Sequence, residues 1–182
     1  MSAADERRLI LEAQQGSHDA FRSLVERYMR QAYNIAYGFV RDHDEAEDVA
    51  QESFIRVYRS IETFRMESEF GTWLYRIIMN ISLNRVRQKK NDQARTVSVS
   101  GVSAHPEPPM AAHEPDVRSH IEQALHELPT LQRATVILRH FNGLSTRQVS
   151  GILGCSEGTV KTHLHRGLKK MRGALQFLNE EA

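Results

Sequence analysis

The densest run of chemically useful side chains lies near the C-terminus. Ser145-Thr146-Arg147-Gln148 has serine followed three positions later by glutamine, the form of a capping box at a helix start. Val149, Ile152 and Leu153 make one side of that short helix apolar, and Gly154 makes a turn. Ser156 can cap a further helix whose Val160, Leu164, Leu168, Met171 and Leu175 face inward. On the opposite side Lys161, Thr162, His165, Arg166 and Lys169 share one face. A short helix, a tight turn and a second helix make a helix-turn-helix, whose second helix can lie in the major groove of DNA. Basic side chains there can bind phosphates and guanine acceptors, and Thr162 can meet a base or a phosphate. Across 156–172 Lys161, Arg166, Lys169, Lys170 and Arg172 are opposed by Glu157 alone, a local excess that the overall net charge of +1 conceals. The plainer alternative is a helical hairpin with a solvated basic face. The order of capped helix, glycine turn and basic face favours the reader.

A second cluster is acidic. Over 41–52, Asp42, Asp44, Glu45, Glu47, Asp48 and Glu52 are opposed only by Arg41. Asp44, Asp48 and Glu52 fall four apart on a helix, so like charges stack along one face at a cost of about a few tenths of a kcal/mol per pair. Acids in a first helical turn complement the helix dipole, which accounts for Asp44 and not for Glu52. An acidic surface for a basic partner is the other reading, and these residues alone leave both open.

A third cluster suits single-stranded nucleic acid. Phe54, Tyr58, Phe64, Phe70, Trp73 and Tyr75 crowd into 54–75. Aromatic side chains hold unpaired bases by stacking worth roughly 1–3 kcal/mol each. Core packing accounts for Phe54, Phe70 and Trp73, which fall on apolar helical faces. Loop positions near Phe64-Arg65-Met66-Glu67-Ser68-Glu69 are better placed to touch a base. Beyond them Thr72, Arg76, Asn80, Asn84 and Arg87 share a polar face opposite a Trp73–Ile77–Ile81 stripe. The two asparagines can donate to and accept from base edges, and Arg76, Arg85, Arg87, Lys89 and Lys90 can follow phosphates.

These clusters need helices to position them. Ala20, Phe21, Leu24, Val25, Tyr28, Ala32, Ile35, Ala36 and Phe39 recur at helical spacing, then Ala46, Val49, Ala50, Phe54 and Val57, then Phe70 to Ile81. Prolines are absent before Pro106, which suits long helices. From about Gln88 to Pro115 the period collapses among Ser, Gly and Pro residues, which predicts a flexible linker. Periodicity returns at Val117, Ile121, Ala124, Leu125 and Leu128. Pro129 suits the first turn of a helix carrying Leu131, Ala134, Ile137, Leu138 and Phe141, which Asn142-Gly143 ends. No sustained strand-like alternation appears. The predicted fold is all-α: a helical domain over 5–90, a flexible linker over 91–115 and a helix-turn-helix domain over 116–178.

Composition narrows the function class. Hydrophobic residues make up 40% and charged residues 26%, ordinary for a globular protein. The opening residues are polar and acidic, unlike a signal peptide, and no apolar run approaches the roughly 20 residues of a membrane span. Cys155 is the single cysteine, so no internal disulfide forms. The expected location is the cytoplasm. His163 and His165 with Cys155 lack the spacing of a closed metal site. No Walker-type loop or Gly-x-Ser-x-Gly motif appears, and the carboxylates do not converge with bases in a pocket. No catalytic residue, metal or cofactor is therefore expected, and the chain does not read as an enzyme.

Several of these stretches resemble one family. Leu128-Pro129, Gly143-Leu144-Ser145 and Gly158-Thr159-Val160-Lys161-Thr162-His163-Leu164-His165-Arg166-Gly167 resemble region 4 of sigma-70 family factors, most of all the extracytoplasmic-function (ECF) group that retains only regions 2 and 4. Asp44-Glu45-Ala46-Glu47-Asp48-Val49-Ala50-Gln51-Glu52-Ser53-Phe54 resembles region 2.2, and Thr72-Trp73-Leu74-Tyr75-Arg76-Ile77 with Asn80 resembles regions 2.3 and 2.4. The resemblance implies a promoter-specificity factor. It would bind core RNA polymerase (β′ clamp helices and β flap) through Asp44, Glu45, Glu47, Asp48, Gln51 and Glu52. It would read the −35 duplex through Ser156, Thr159, Lys161, Thr162, His165, Arg166 and Lys169. It would hold the −10 single strand through Phe64, Arg65, Met66, Ser68, Thr72, Arg76, Asn80, Asn84 and Arg87, with an extruded base in the 64–71 loop. An anti-sigma factor is a further implied partner. The chain departs from the family at Ser150 (usually alanine), His163 (arginine), Met66-Glu67 (often glycine and aspartate) and Gly71 (a larger residue). A duplex-binding regulator of the response-regulator output type shares a similar C-terminal motif. A single-strand-binding module that works without polymerase is the other rival.

Overall fold

The computed structural model describes residues 3–99 and 117–179. Helices α1 (Ala3–Gln14), α2 (His18–Val40), α3 (His43–Ser60) and α4 (Phe70–Val99) form the N-terminal half, with a 3-10 turn at Ile61–Thr63. Helices α5 (Val117–His126), α6 (Thr130–Val136), α7 (Thr146–Leu153) and α8 (Glu157–Ala174) form the C-terminal half, closed by a 3-10 turn at Gln176–Asn179. The all-α fold is as the periodicities predict, with no strand among the described residues.

Local chemistry sets the boundaries. Asp42 caps α3 by accepting the Glu45 N–H at 2.9 Å, and Ser17 caps α2 through the Ala20 N–H at 3.3 Å. Between them Arg41 takes a left-handed φ of 59° and closes α2 by donating its N–H to the Tyr37 carbonyl. Leu24, Ile35 and Phe39 of α2, Val49 and Val57 of α3, and Leu74 and Ile78 of α4 are fully buried together. Helix α1, which the sequence reading does not single out, adds Leu9, Ile10 and Ala13 to this core. Its Gln14 amide donates to the Ile61 carbonyl at 2.9 Å and the Phe64 carbonyl at 2.8 Å, tying down the start of the loop before α4.

Helix α4 overruns the expected domain boundary at 90 and continues to Val99. Gln88 to Val99 contains neither glycine nor proline and is rich in good helix formers. The lost apolar period there does not mark the end of the helix. Val97 and Val99 lie in this helix. The remainder of the expected linker, 100–115, lies outside the described residues.

In the C-terminal half the capping box is complete: Ser145 Oγ accepts the Gln148 N–H at 3.2 Å, and Gln148 Oε1 accepts the Ser145 N–H at 2.8 Å. Gly154 ends α7 at φ 65°, the left-handed conformation that glycine adopts without a side-chain clash. Ser150 puts its hydroxyl to use there by donating to the Cys155 carbonyl at 2.5 Å, a bond that alanine would not make. Pro129 takes the cap position, with extended ψ 144°, so the helix begins one residue later at Thr130. Helix α6 then passes into one π turn at Ile137–Phe141, where the Asn142 side chain donates to the Ile137 carbonyl at 2.8 Å. Helices α6 and α8 meet at Gly167, where an added Cβ would lie 2.8 Å from Val136 Cγ2.

The two halves also pack against each other, which the sequence reading does not anticipate. Tyr37 donates to Glu122 at 3.2 Å, Arg41 pairs with Glu122 at 3.6 Å, and Gln31 donates to the Asn142 carbonyl at 3.2 Å. The Arg133 guanidinium, buried and pushed down in pKa by that burial, lies 5.9 Å from the Phe39 ring centroid.

The packing at Gly167 makes a stability prediction. Gly167→Ala gains helix propensity of about 1 kcal/mol but forces Val136, itself fully buried, to move. Overpacking of this kind costs roughly 1–3 kcal/mol, so urea denaturation should show a net loss of about 1 kcal/mol. Gly173→Ala, with nothing within 4 Å of its added Cβ, should instead gain about 0.5–1 kcal/mol.

Candidate nucleic-acid interfaces

The outer face of α8 is built as the sequence predicts. Val160, Gly167 and Met171 turn inward, and Lys161, Thr162, His165, Arg166 and Lys169 are exposed along the opposite side. Ser156 and Thr159 sit at the helix start and are bonded to each other: the Thr159 N–H donates to Ser156 Oγ at 3.1 Å, with the two hydroxyls 2.8 Å apart. Thr162 rests its hydroxyl on the Gly158 carbonyl at 3.0 Å. His163 turns partly inward, away from this face.

The acidic helix divides in two. Asp44, Glu47, Asp48 and Gln51 are exposed, and the three acids make no ion pair among the described residues. Glu45 and Glu52 lean toward α4 instead. Glu45 pairs with Lys89, and Glu52 binds Arg85 at 3.0 Å and Arg56 at 2.7 Å. The Arg85 hydrogen bond, with Arg56 second, holds the Glu52 carboxyl below its ordinary range. Two of the six expected docking residues thus stitch α3 to α4, and two of the expected phosphate followers, Arg85 and Lys89, are their partners. The sequence signal for these pairs is the match of one basic run to one acidic run, whose register becomes visible only in the fold.

The loop before α4 splits likewise. Arg65 and Ser68 are exposed and Met66 is half-buried. Phe64 is buried, stacked on Trp73 at 4.8 Å between ring centroids and edge-on to Phe70 at 5.8 Å, so it belongs to the core of the loop and not to its surface. Met66 takes φ 56°, the left-handed region where glycine is at ease. Gly71 packs closely against α2: a Cβ there would lie 3.1 Å from Tyr28 Cε1, so a larger residue would need the Tyr28 ring to give by a few tenths of an ångström. A cavity of about 200 Å3 opens between Phe64, Met66, Ser68, Glu69 and Phe70 of the loop and Glu6, Arg7 and Ile10 of α1. Glu6 is fixed there by the Tyr28 hydroxyl and by Arg27 at 3.5 Å. Burial and this bond to Glu6 hold the Tyr28 hydroxyl well above the phenol range. No helix-period argument links the first turn of α1 to a loop some 60 residues on, so Glu6 and Arg7 were missed.

Along α4, Asn80, Asn84 and Arg87 are exposed in line. Thr72 and Arg76 are on the same side but engaged: Thr72 is buried at 7% exposure, and Arg76 donates to the Gly151 carbonyl of α7. The two halves enclose a cleft of about 430 Å3 here, between the loop residues 67–69 and Ser145, Arg147 and Gln148.

The α3–α4 stitch makes a pH prediction. Glu52 has a folded pKa below the ordinary 4.5, so its contribution to stability is full above that value and is lost as pH falls through the folded one. Glu52→Gln should lower the urea midpoint at pH 7. The gap from the unsubstituted protein should narrow as the pH is taken below about 4.5, the ordinary carboxylate value.

Comparison with known proteins agrees with this anatomy. Residues 24–91 match the sigma-70 region 2 family and residues 118–171 match sigma-70 region 4. The ECF RNA polymerase sigma factor SigW of Bacillus subtilis is 34% identical over 93% of this chain and 96% of its own length. The RNA polymerase sigma-H factor of Pseudomonas aeruginosa is 31% identical over the whole of both chains. The ECF RNA polymerase sigma-E factor of Haemophilus influenzae is 34% identical over 93% of this chain and 95% of its own. Among solved structures, CnrH in complex with the cytosolic domain of CnrY matches with TM-score 0.72 at 23% identity, covering 94% of this chain and 97% of that one. The sigma factor RpoE in complex with the anti-sigma factor NepR from Bartonella quintana matches with TM-score 0.68 at 24% identity, covering 86% and 96%. Helices, motifs and relatives converge: the chain belongs to the sigma-70 family of RNA polymerase sigma factors, in its extracytoplasmic-function group, and is a promoter-specificity factor.

Proposed function

We propose that the chain docks on core RNA polymerase through Asp44, Glu47, Asp48 and Gln51, reads the −35 duplex with α8, and holds the −10 single strand with the 64–71 loop and α4. The observation that carries this reading is the coexistence on one chain of three surfaces of different chemistry. A stripe of unpaired carboxylates suits a basic partner such as a polymerase clamp helix. A basic recognition helix suits duplex DNA. A loop cavity beside a polar helix face suits an unpaired, extruded base. Glu45 and Glu52 serve this docking indirectly, by setting the angle of α3 on α4.

The chain itself carries out no reaction in this account; the polymerase supplies the chemistry. Its place of action is the cytoplasm, where promoter and polymerase meet, and among the described residues no helix is long and apolar enough to cross a membrane. A contact of α8 and its neighbours with the β flap would set the spacing between the −35 and −10 readers. An anti-sigma factor is a partner by analogy with the bound state of the solved relative RpoE.

The docking claim is tested by co-elution with bacterial core RNA polymerase. The unsubstituted protein should co-elute, and Asp48→Lys and Glu47→Lys should each weaken binding by roughly tenfold or more, an amount in keeping with close charge pairs at interfaces. Absence of co-elution by the unsubstituted protein, together with tight polymerase-free binding to palindromic duplex DNA, would establish a conventional regulator instead.

A further inference from the structure

The cavity at the start of α4 has two walls, and only one of them belongs to the loop. Phe64, Met66 and Phe70 supply apolar surface from the loop side, and Ile10 supplies it from α1. The polar groups on the rim differ in charge from side to side. On the loop side stands Glu69, whose carboxylate accepts from the Gln148 amide at 2.6 Å, a neutral partner. On the α1 side stand Glu6 and Arg7. Glu6 is answered from beneath, where the Tyr28 hydroxyl donates to it and the Arg27 guanidinium lies 3.5 Å away. Arg7 is exposed and makes no ion pair among the described residues. The result is an apolar slot with an acid on one rim and an uncompensated cation on the other.

A base seated in such a slot brings two phosphates with it, one on each side. In DNA opened at −10 the strand stays paired on the −35 side. The upstream phosphate therefore lies toward α4, whose Asn80, Asn84 and Arg87 are exposed in line. The downstream phosphate has to leave over the remaining wall. Glu69 repels it and Arg7 attracts it, and a guanidinium can donate to two phosphate oxygens at once. Arg7 is also held in register with the slot. Its neighbour Glu6 is tied to Tyr28, and the Tyr28 ring packs on Phe70, a lining ring, at 5.4 Å between centroids.

We propose that α1 is the downstream wall of the single-strand reader, with Arg7 holding the phosphate on the 3′ side of the base seated in the cavity. The ligand is a single-stranded phosphodiester, and Arg7 positions it by charge without reading its sequence. This inference rests on the −10 reading given above.

The test uses holoenzyme assembled from the full chain and core polymerase. Its DNA is a fork, duplex on the −35 side, whose single-stranded non-template segment comes from a promoter that the unsubstituted holoenzyme transcribes. An abasic nucleotide at each position in turn locates the captured base. An uncharged methylphosphonate at each phosphate in turn locates the backbone contacts. Arg7→Ala should dock on core as the unsubstituted protein does but weaken fork binding roughly two- to fivefold, the weight of an exposed charge pair. It should also flatten the slope of log affinity against log salt by about 0.7, the value of one single-strand phosphate. The methylphosphonate on the 3′ side of the captured base should weaken binding by the unsubstituted holoenzyme and leave Arg7→Ala unaffected. Arg7→Lys should keep the slope. Arg8→Ala removes the same charge from the next residue, which pairs with Glu12 at 3.9 Å, and should change neither the slope nor the methylphosphonate pattern. The proposal is overturned if Arg7→Ala binds the fork as the unsubstituted protein does, if it no longer docks on core, if it stays sensitive to that methylphosphonate, or if Arg8→Ala gives the same loss. In each of those cases an abasic position that still weakens the unsubstituted holoenzyme leaves the −10 reading standing. If no abasic position weakens it, the −10 reading has failed and the role of Arg7 with it.

Discussion

Everything in the N-terminal half is oriented by the two-faced packing of α4. Its inner stripe, Phe70, Leu74, Ile78 and Ile81, is buried against α2 and α3. A helix so anchored cannot rotate, and 3.6 residues per turn then fix where Thr72, Arg76, Asn80, Asn84 and Arg87 point. The ion pairs from Arg85 to Glu52 and from Lys89 to Glu45 lock the same helix to α3. The acids of α3 are therefore sorted by geometry. Glu45 and Glu52 are consumed by their ion pairs to α4, and Asp44, Glu47 and Asp48 stay exposed. A surface rich in like charge becomes tolerable because part of that charge is neutralised from beneath.

The C-terminal half solves a different problem. A recognition helix must be held rigidly and still present its outer face to a groove. Caps at Ser145 and Ser156, the left-handed Gly154 and the glycine-mediated approach of α8 to α6 do this with short-range interactions. On the proposed reading each half would contact only a short element, and joining the two contacts on one polymerase-bound chain would raise the effective concentration of the second. Between α7 and α4 the two halves satisfy polar groups of each other, Arg76 with the Gly151 carbonyl and Gln148 with Glu69.

What was legible in the sequence is what local chemistry decides. The capping box, the Gly154 turn, the apolar stripes of α2 to α4 and the basic face of α8 could all be read, because caps and periodicities involve residues within a few positions of one another. Phe64 misled, because an aromatic beside a polar loop looks exposed until Trp73 is placed over it. The end of α4 was not legible either: the apolar period stops near 90 while the helix runs on to Val99. Glu6, Arg7 and the contact between the halves were not legible. They depend on register between distant elements, which no pattern of neighbouring residues records. Met66 shows an intermediate case: its place in the loop was plain, its left-handed backbone was not.

The central claim is that this chain gives core RNA polymerase a promoter preference it otherwise lacks. The direct measurement is in vitro transcription from fragmented genomic DNA of the source organism by core polymerase with and without the purified protein, with transcript starts mapped by sequencing. The account predicts new starts only when the protein is present, sharing one short element near −10 and another near −35, with Lys161→Ala and Arg166→Ala weakening starts in proportion to their −35 match. Starts that are unchanged by the protein, or that it only represses, would contradict it.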